Sequence, residues 1–198
     1  MTAIVDYGAG NLTSVRLAFA ALGHEARVTS SVNDIEEADR IVFPGVGAAK
    51  SAMENLVRLG LVDALKKAAG EKPFLGICLG MQILFDRTEE DGGVDCLGLV
   101  PGQVRRFPAA GGCKIPQIGW NDVHEAASGN MVPGLGEYYY FVHSYYAEKG
   151  PCTAGVTEYA GVEFTSIVQK DGIFACQFHP EKSGAAGLEL LKGWLERC

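Results

Sequence analysis

A cysteine between two glycines, Gly76-Ile77-Cys78-Leu79-Gly80, carries the most chemical information in this sequence. Pro73 to Ile77 reads as a short, apolar, buried strand and Leu79 to Phe85 as the start of a helix, so Cys78 falls on the turn between them. The pattern is the cysteine version of the Gly-x-Ser-x-Gly nucleophile elbow. A sharp strand-to-helix turn strains its central residue, and glycines to either side remove Cβ atoms that would collide with it. The turn lifts the sulfur clear of a sheet and sets it at a helix N-terminus, where the positive end of the dipole favours thiolate. A free cysteine is also commonly a small core residue, so the motif gains weight only with a base and an oxyanion site.

Four histidines are available as the base. His24 lies beside Glu25 on the approach to a strand, and His124 sits in a polar stretch that reads as exposed. His143 and His179 both follow apolar strands. His179 stands in Phe178-His179-Pro180-Glu181, where Pro180 stiffens the turn and Glu181, two positions on, is available to orient the imidazole through its other nitrogen. For the oxyanion, the N–H of Leu79 opens the helix after the nucleophile. The turn Gly45-Val46-Gly47 follows the preceding strand, and its glycines permit a second N–H to point inward. Gly8-x-Gly10 lacks the third glycine of a dinucleotide fingerprint and is rejected as one.

The elements that must position these groups follow from periodicity. Strands are expected at Ala3–Asp6, Glu25–Thr29, Arg40–Phe43 and Pro73–Ile77. Between them lie helices at Leu12–Leu22, closed by Gly23, and at Ala48–Leu59 and Leu61–Ala69, with a short helical turn at Ile35–Ala38 behind Ser31 and Asn33. Alternation of this kind predicts a mostly parallel central sheet flanked by helices, with sites at the carboxyl ends of the strands. Beyond Cys96 the texture turns β-like at Val100–Phe107, Ile115–Val123, Tyr138–Tyr146, Cys152–Tyr159, Phe164–Lys170 and Ile173–Phe178. A terminal helix, Gly184–Arg197, follows a candidate cap at Ser183. The expectation is one α/β domain over 1–198, with an antiparallel β-rich portion in its second half.

Composition agrees with a globular chain: 198 residues, 47% hydrophobic and 21% charged. A net charge of −7 without a basic cluster argues against nucleic acid as a partner. No apolar run is long enough to span a bilayer, and the first residues read as a strand. The six cysteines are widely spaced, with no Cys-x-x-Cys pair, so neither a metal site nor a cofactor is implied. They read as reduced thiols of a cytoplasmic protein.

Together, Pro44-Gly45-Val46-Gly47, Gly76-Ile77-Cys78-Leu79-Gly80-Met81-Gln82 and His179-Pro180-Glu181 resemble the class I (triad) glutamine amidotransferases. Three more stretches are similar to the glutaminases that serve histidine synthesis: Asp6-Tyr7-Gly8-Ala9-Gly10-Asn11, Lys114 to Asn121, and Tyr140-Phe141-Val142-His143-Ser144-Tyr145. The likeness runs nearly end to end. It implies a Cys78–His179–Glu181 triad that hydrolyses L-glutamine, with Gly47 and Leu79 at the oxyanion. It also implies that Gln82, Glu90 and the backbone around Ser144 and Tyr145 hold the substrate's amino and carboxyl groups. Ammonia would pass to a (β/α)8-barrel cyclase subunit that forms imidazole glycerol phosphate and aminoimidazole carboxamide ribotide. The docking face would include Asn11, Trp120, Tyr140 and Lys182, with Gln117 nearby, although Gln117 stands where relatives often have histidine. The Gly45–Gly47 turn would then act as a switch that leaves the triad idle until the partner binds. Competing readings are a glutaminase serving another synthase, a free-standing cysteine hydrolase, and a non-catalytic docking subunit.

Overall fold

The computed structural model describes residues 1–109, 112–126 and 135–197. Its first half alternates strands β1 (Thr2–Val5), β2 (Ala26–Thr29), β3 (Arg40–Gly45) and β4 (Phe74–Cys78) with helices α1 (Leu12–Ala21), α2 (Val32–Glu37), α3 (Ala49–Arg58) and α4 (Val62–Glu71). A single helical turn, α5 (Leu79–Gln82), follows β4. The strands β5 (Arg87–Thr88), β6 (Val94–Asp95), β7 (Gln103–Arg106), β8 (Gln117–Asp122), β9 (His124–Glu125) and β10 (Tyr138–His143) come next. The chain ends with β11 (Tyr145–Ala147), β12 (Thr153–Tyr159), β13 (Val162–Lys170), β14 (Ile173–Cys176) and helix α6 (Gly184–Arg197).

The main sheet runs β2-β1-β3-β4-β14-β13-β11-β7-β5-β6. From β2 to β14 every pairing is parallel. Beyond β14 the pairings to β13, β11 and β7 are antiparallel. Strands β8 and β10 form a separate two-stranded antiparallel ribbon. Buried strands read as apolar runs because both faces are covered. In β1, Ala3 and Val5 join a core with α3 and α4, while Ile4 points to the opposite core with Phe19 of α1 and Trp194 of α6. In β3, Ile41 and Phe43 face the first core and Val42 the second.

Three expectations change. The helix after Cys78 stops at Gln82, not Phe85: the N–H groups of Leu84 and Phe85 bond three residues back, to Met81 and Gln82, and the carbonyls of Ile83, Leu84 and Phe85 accept from Leu97, Leu99 and Gly98 of a returning loop. The run Tyr138–Tyr146 is two strands in two different sheets, broken at Ser144. Ser183 makes no side-chain cap for α6; its hydroxyl accepts from the Tyr140 N–H at 3.0 Å and donates to the His179 carbonyl at 2.6 Å. The small β5–β6 pair was not foreseen, since two-residue strands have no period to read.

Candidate active site

Cys78 adopts φ 55°, ψ −113°, a left-handed-side conformation that costs a residue with a Cβ about 1–3 kcal/mol. Its neighbours hold it there. A Cβ on Gly80 would lie 1.9 Å from the carbonyl oxygen of Phe43 in β3, and one on Gly76 would lie 2.9 Å from Cβ of Ala175 in β14. The elbow glycines are therefore demanded by the flanking strands rather than by crowding at Cys78 itself.

The base arrives through the sheet. Strand β14 lies beside β4 in parallel register, with Cys176 opposite Ile77. One step further brings Gln177 alongside Cys78, and His179 follows just past the strand end. The His179 Nδ1–H donates to Glu181 Oε1 at 2.8 Å, and both side chains are almost wholly buried. Nε2 has no hydrogen-bond partner and lines the same cavity as the Cys78 sulfur, in keeping with an unliganded site whose catalytic hydrogen bond has yet to tighten. Burial alone would lower the imidazole's affinity for a proton. The influence of Cys78 and the bond to Glu181 outweigh burial and hold His179 well above the usual histidine range. The loop is tied down by the His179 N–H donating to the Tyr140 carbonyl at 2.9 Å, besides the two bonds of Ser183.

These groups open into a cavity of about 370 Å³. Cys78, Leu79 and His179 line it together with Gly47, which sits at φ +97°. Gln82, Glu90, Ser144 and Tyr145 complete the set expected from the sequence. Both N–H groups of the Gln82 amide are spent, on the Tyr145 carbonyl and on Gln177 Oε1, each at 2.8 Å. Gln82 therefore presents only an acceptor oxygen to a ligand. Glu90 accepts from the Ala49 N–H at 2.6 Å; burial raises its carboxyl group, and that hydrogen bond opposes the rise.

Sequence reasoning gave no role to His143, which also lines the cavity. It packs against the rings of Phe107, Phe141 and Phe164. Burial pushes its imidazole down to about 4; the charge of His179 adds to this, while a bond to the Tyr145 carbonyl opposes it. Neutral at ordinary pH, it donates from Nδ1 to that carbonyl at 2.8 Å and leaves Nε2 as a bare acceptor. The available signal was its place at the end of an apolar strand, next to Ser144. His24 and His124 lie elsewhere: His24 bonds to the Thr2 hydroxyl, and exposed His124 pairs with Asp122.

The expected docking residues divide. Trp120 is 56% exposed and meets half-buried Tyr140 edge to face across the β8–β10 ribbon. Ile118 and Tyr138 share that face and are 63% and 59% exposed, a continuation that the sequence reading missed. Lys182 is exposed and follows Glu181 of the triad in sequence. Asn11 is half-buried and caps α1 by accepting from the Ser14 N–H. Gln117 does not belong to the exposed face. It is buried, opposite His143, because strand alternation turns 117 inward when 118 and 120 face out.

Five cysteines are free thiols, and Cys198 lies outside the described residues. Among the described residues there is no helix long and apolar enough to cross a membrane.

The profile described as "Glutamine amidotransferase class-I" matches residues 3–197. The chain belongs to the class-I glutamine amidotransferase family. Among named relatives, it is 48% identical to the imidazole glycerol phosphate synthase subunit HisH of Nitrosospira multiformis, over 96% of this chain and 94% of that protein. It is 47% identical to the subunit of the same name from Methanothermobacter thermautotrophicus, over 99% and 98%. Solved structures agree on the fold: a glutamine amidotransferase at TM-score 0.75 and 18% identity, covering 98% of this chain and 97% of that one, and PurLQS of Thermotoga maritima at 0.72 and 20%, covering 99% and 97%.

Proposed function

We infer that the chain is the glutaminase subunit of an imidazole glycerol phosphate synthase. It hydrolyses glutamine to glutamate and ammonia for use by that synthase. The single observation that carries the reading is a sulfur on a strained elbow that shares one cavity with a buried imidazole–carboxylate pair. Full-length relatives bearing that subunit's name support it.

In this reading the Cys78 thiolate attacks the carboxamide carbon of glutamine. The oxyanion is held by the N–H groups of Leu79 and Gly47. Protonated His179 gives its proton to the leaving ammonia, and the glutamyl thioester remains. Neutral His179 then takes a proton from water, which attacks the thioester, releases glutamate and regenerates the ion pair. Glu181 keeps Nε2 aimed at the sulfur by holding Nδ1–H. The free oxygens of Gln82 and Glu90 suit the substrate's ammonium group, and the N–H groups near Ser144 and Tyr145 suit its carboxylate.

The exposed apolar face of the β8–β10 ribbon is read as the docking surface for a (β/α)8-barrel cyclase subunit, with Lys182 and the Asn11 end of α1 beside it. The barrel would receive the ammonia and form imidazole glycerol phosphate and aminoimidazole carboxamide ribotide, in the cytoplasm. Gly47, at a positive φ and with nothing within 4 Å of where a Cβ would stand, suits a turn that rotates its N–H toward the oxyanion when the partner docks. The test is glutamine hydrolysis by the purified chain with and without a barrel cyclase and its ligand. At least about tenfold stimulation is expected. Equal activity in both, with no ammonia delivered to the cyclase, overturns the subunit reading.

A further inference from the structure

Gln177 belongs to neither the cysteine elbow nor the His179-Pro180-Glu181 run, yet it touches the sulfur. It is wholly buried, immediately beyond β14. Its Nε2 lies 3.7 Å from Cys78 Sγ, and its Oε1 lies 2.8 Å from Gln82 Nε2. A carboxamide is nearly symmetric in shape, so the orientation of its two ends has to come from chemistry. Here one backbone atom decides both amides. The Tyr145 carbonyl can only accept, so the Gln82 atom 2.8 Å from it is the nitrogen. That same nitrogen faces Gln177, so the Gln177 atom meeting it is the oxygen. The Gln177 N–H then has to point at the sulfur. Reversing either amide would set oxygen against oxygen or nitrogen against nitrogen.

We propose that Gln177 is a positioning residue that holds the Cys78 sulfur for attack and stabilises its thiolate with an amide N–H, its own orientation being set by the Tyr145 carbonyl through Gln82. The proposal rests on the reading of Cys78 as the nucleophile. A hydrogen bond donated to a charged acceptor is stronger than one donated to its neutral form, so the N–H favours thiolate over thiol. The sulfur also lies 4.0 Å from the Val142 carbonyl, an acceptor that favours the thiol, so the Gln177 N–H acts against it. Burial holds the Tyr7 hydroxyl and the Cys176 thiol protonated, with Glu181 and Cys78 raising Cys176 further and Cys78 raising Tyr7, so neither sets a second negative charge beside the sulfur. His179 supplies the counter-charge, with Glu181 behind it. The same relay begins at Tyr145, in the segment proposed to bind the substrate's carboxylate. The carbonyl there also accepts from His143, so its position is fixed twice.

The test follows alkylation of Cys78 by iodoacetamide against pH in the full chain, read by mass mapping of the Cys78 peptide, for the parent, Gln177→Glu and Gln177→Met. Gln177→Glu keeps the acceptor for Gln82 and puts a carboxylate oxygen where the N–H was. Gln177→Met removes both groups at similar length. At neutral pH the Cys78 rate should fall about tenfold or more in the first variant and severalfold in the second, with both profiles moved to higher pH. In both, kcat for glutamine should fall while KM changes little, and exposed Cys113 should react as before. Profiles that superimpose on the parent's, in variants of unchanged melting temperature, overturn the proposal. If neither variant folds, the parent decides by NMR. The Gln177 side-chain amide protons must shift over the pH range in which Cys78 becomes reactive, and protons that stay fixed overturn it. Failure of the underlying nucleophile reading looks different: Cys78 in the parent would react no faster than Cys113, and Cys78→Ser would keep glutamine hydrolysis.

Discussion

Two chain breaks meet at the cavity, and they are built on different terms. At the β4–α5 elbow every residue is buried, and the strain falls on one side chain whose flanking glycines press on β3 and β14. At the β10–β11 break the chain leaves a two-stranded ribbon, one face of which shows Ile118, Trp120 and Tyr138 to solvent. A reactive sulfur demands a backbone that does not yield, whereas a ribbon held on only one side can respond to what covers it. The regions are joined at Tyr140. Its carbonyl accepts from His179 and its N–H donates to Ser183, so the strand bearing the ribbon's exposed face is bonded to the loop of the catalytic base.

That contrast breaks most sharply at the sulfur. Cys78→Ser should reduce glutamine hydrolysis at least ~1000-fold with the fold intact, read by steady-state kinetics and circular dichroism. Next in size, Gly80→Ala drives a Cβ into the Phe43 carbonyl. It should cost about 3 kcal/mol in denaturant unfolding and lose most activity, because β3 and the elbow have to part. On the ribbon the same kind of change should behave oppositely. Trp120→Ala should leave the stability of the isolated chain within about 0.5 kcal/mol, yet weaken association with a barrel partner by about 2 kcal/mol, measured by titration calorimetry.

The smallest effect separates the two histidines of the cavity. His143 has its proton affinity lowered from 6.5 to about 4 in the folded chain. The unfolded chain therefore binds more protons between those values. Its stabilising contribution is complete above about 6.5 and is lost as the pH falls toward 4. His179 is raised from 6.5 to about 10, so its contribution is complete below 6.5 and is lost as the pH rises through about 10. Thermal melts of the parent and His143→Phe across the acid range should diverge, with the variant's acid-side fall less steep.

The parallel half was nearly legible. Runs such as Ile41-Val42-Phe43 and the Gly76-x-Cys78-x-Gly80 spacing depend on local sterics and on burial of both sheet faces, and both leave a mark in a short window. The second half was less so. Tyr138 to Tyr146 reads as one apolar run, but it is cut at Ser144 by pairing with two different sheets, and nothing within the run announces the cut. Ser183 looked like a helix cap, but its hydroxyl is used by Tyr140 and His179. Gln117 shows the limit of motif reading, since strand register alone decides whether position 117 or 118 faces out.

By itself the sequence determined which atoms can react: a thiol on a strained turn, an imidazole, a carboxylate two positions on, and glycines where a Cβ has no room. Only the tertiary structure decided that they meet. Strand β14 returns from an antiparallel region to lie parallel to β4, and that pairing carries residues about a hundred positions apart into one cavity. The reason is physical: side-chain chemistry and local strain are short-range properties, while strand partnership is settled by which faces bury each other.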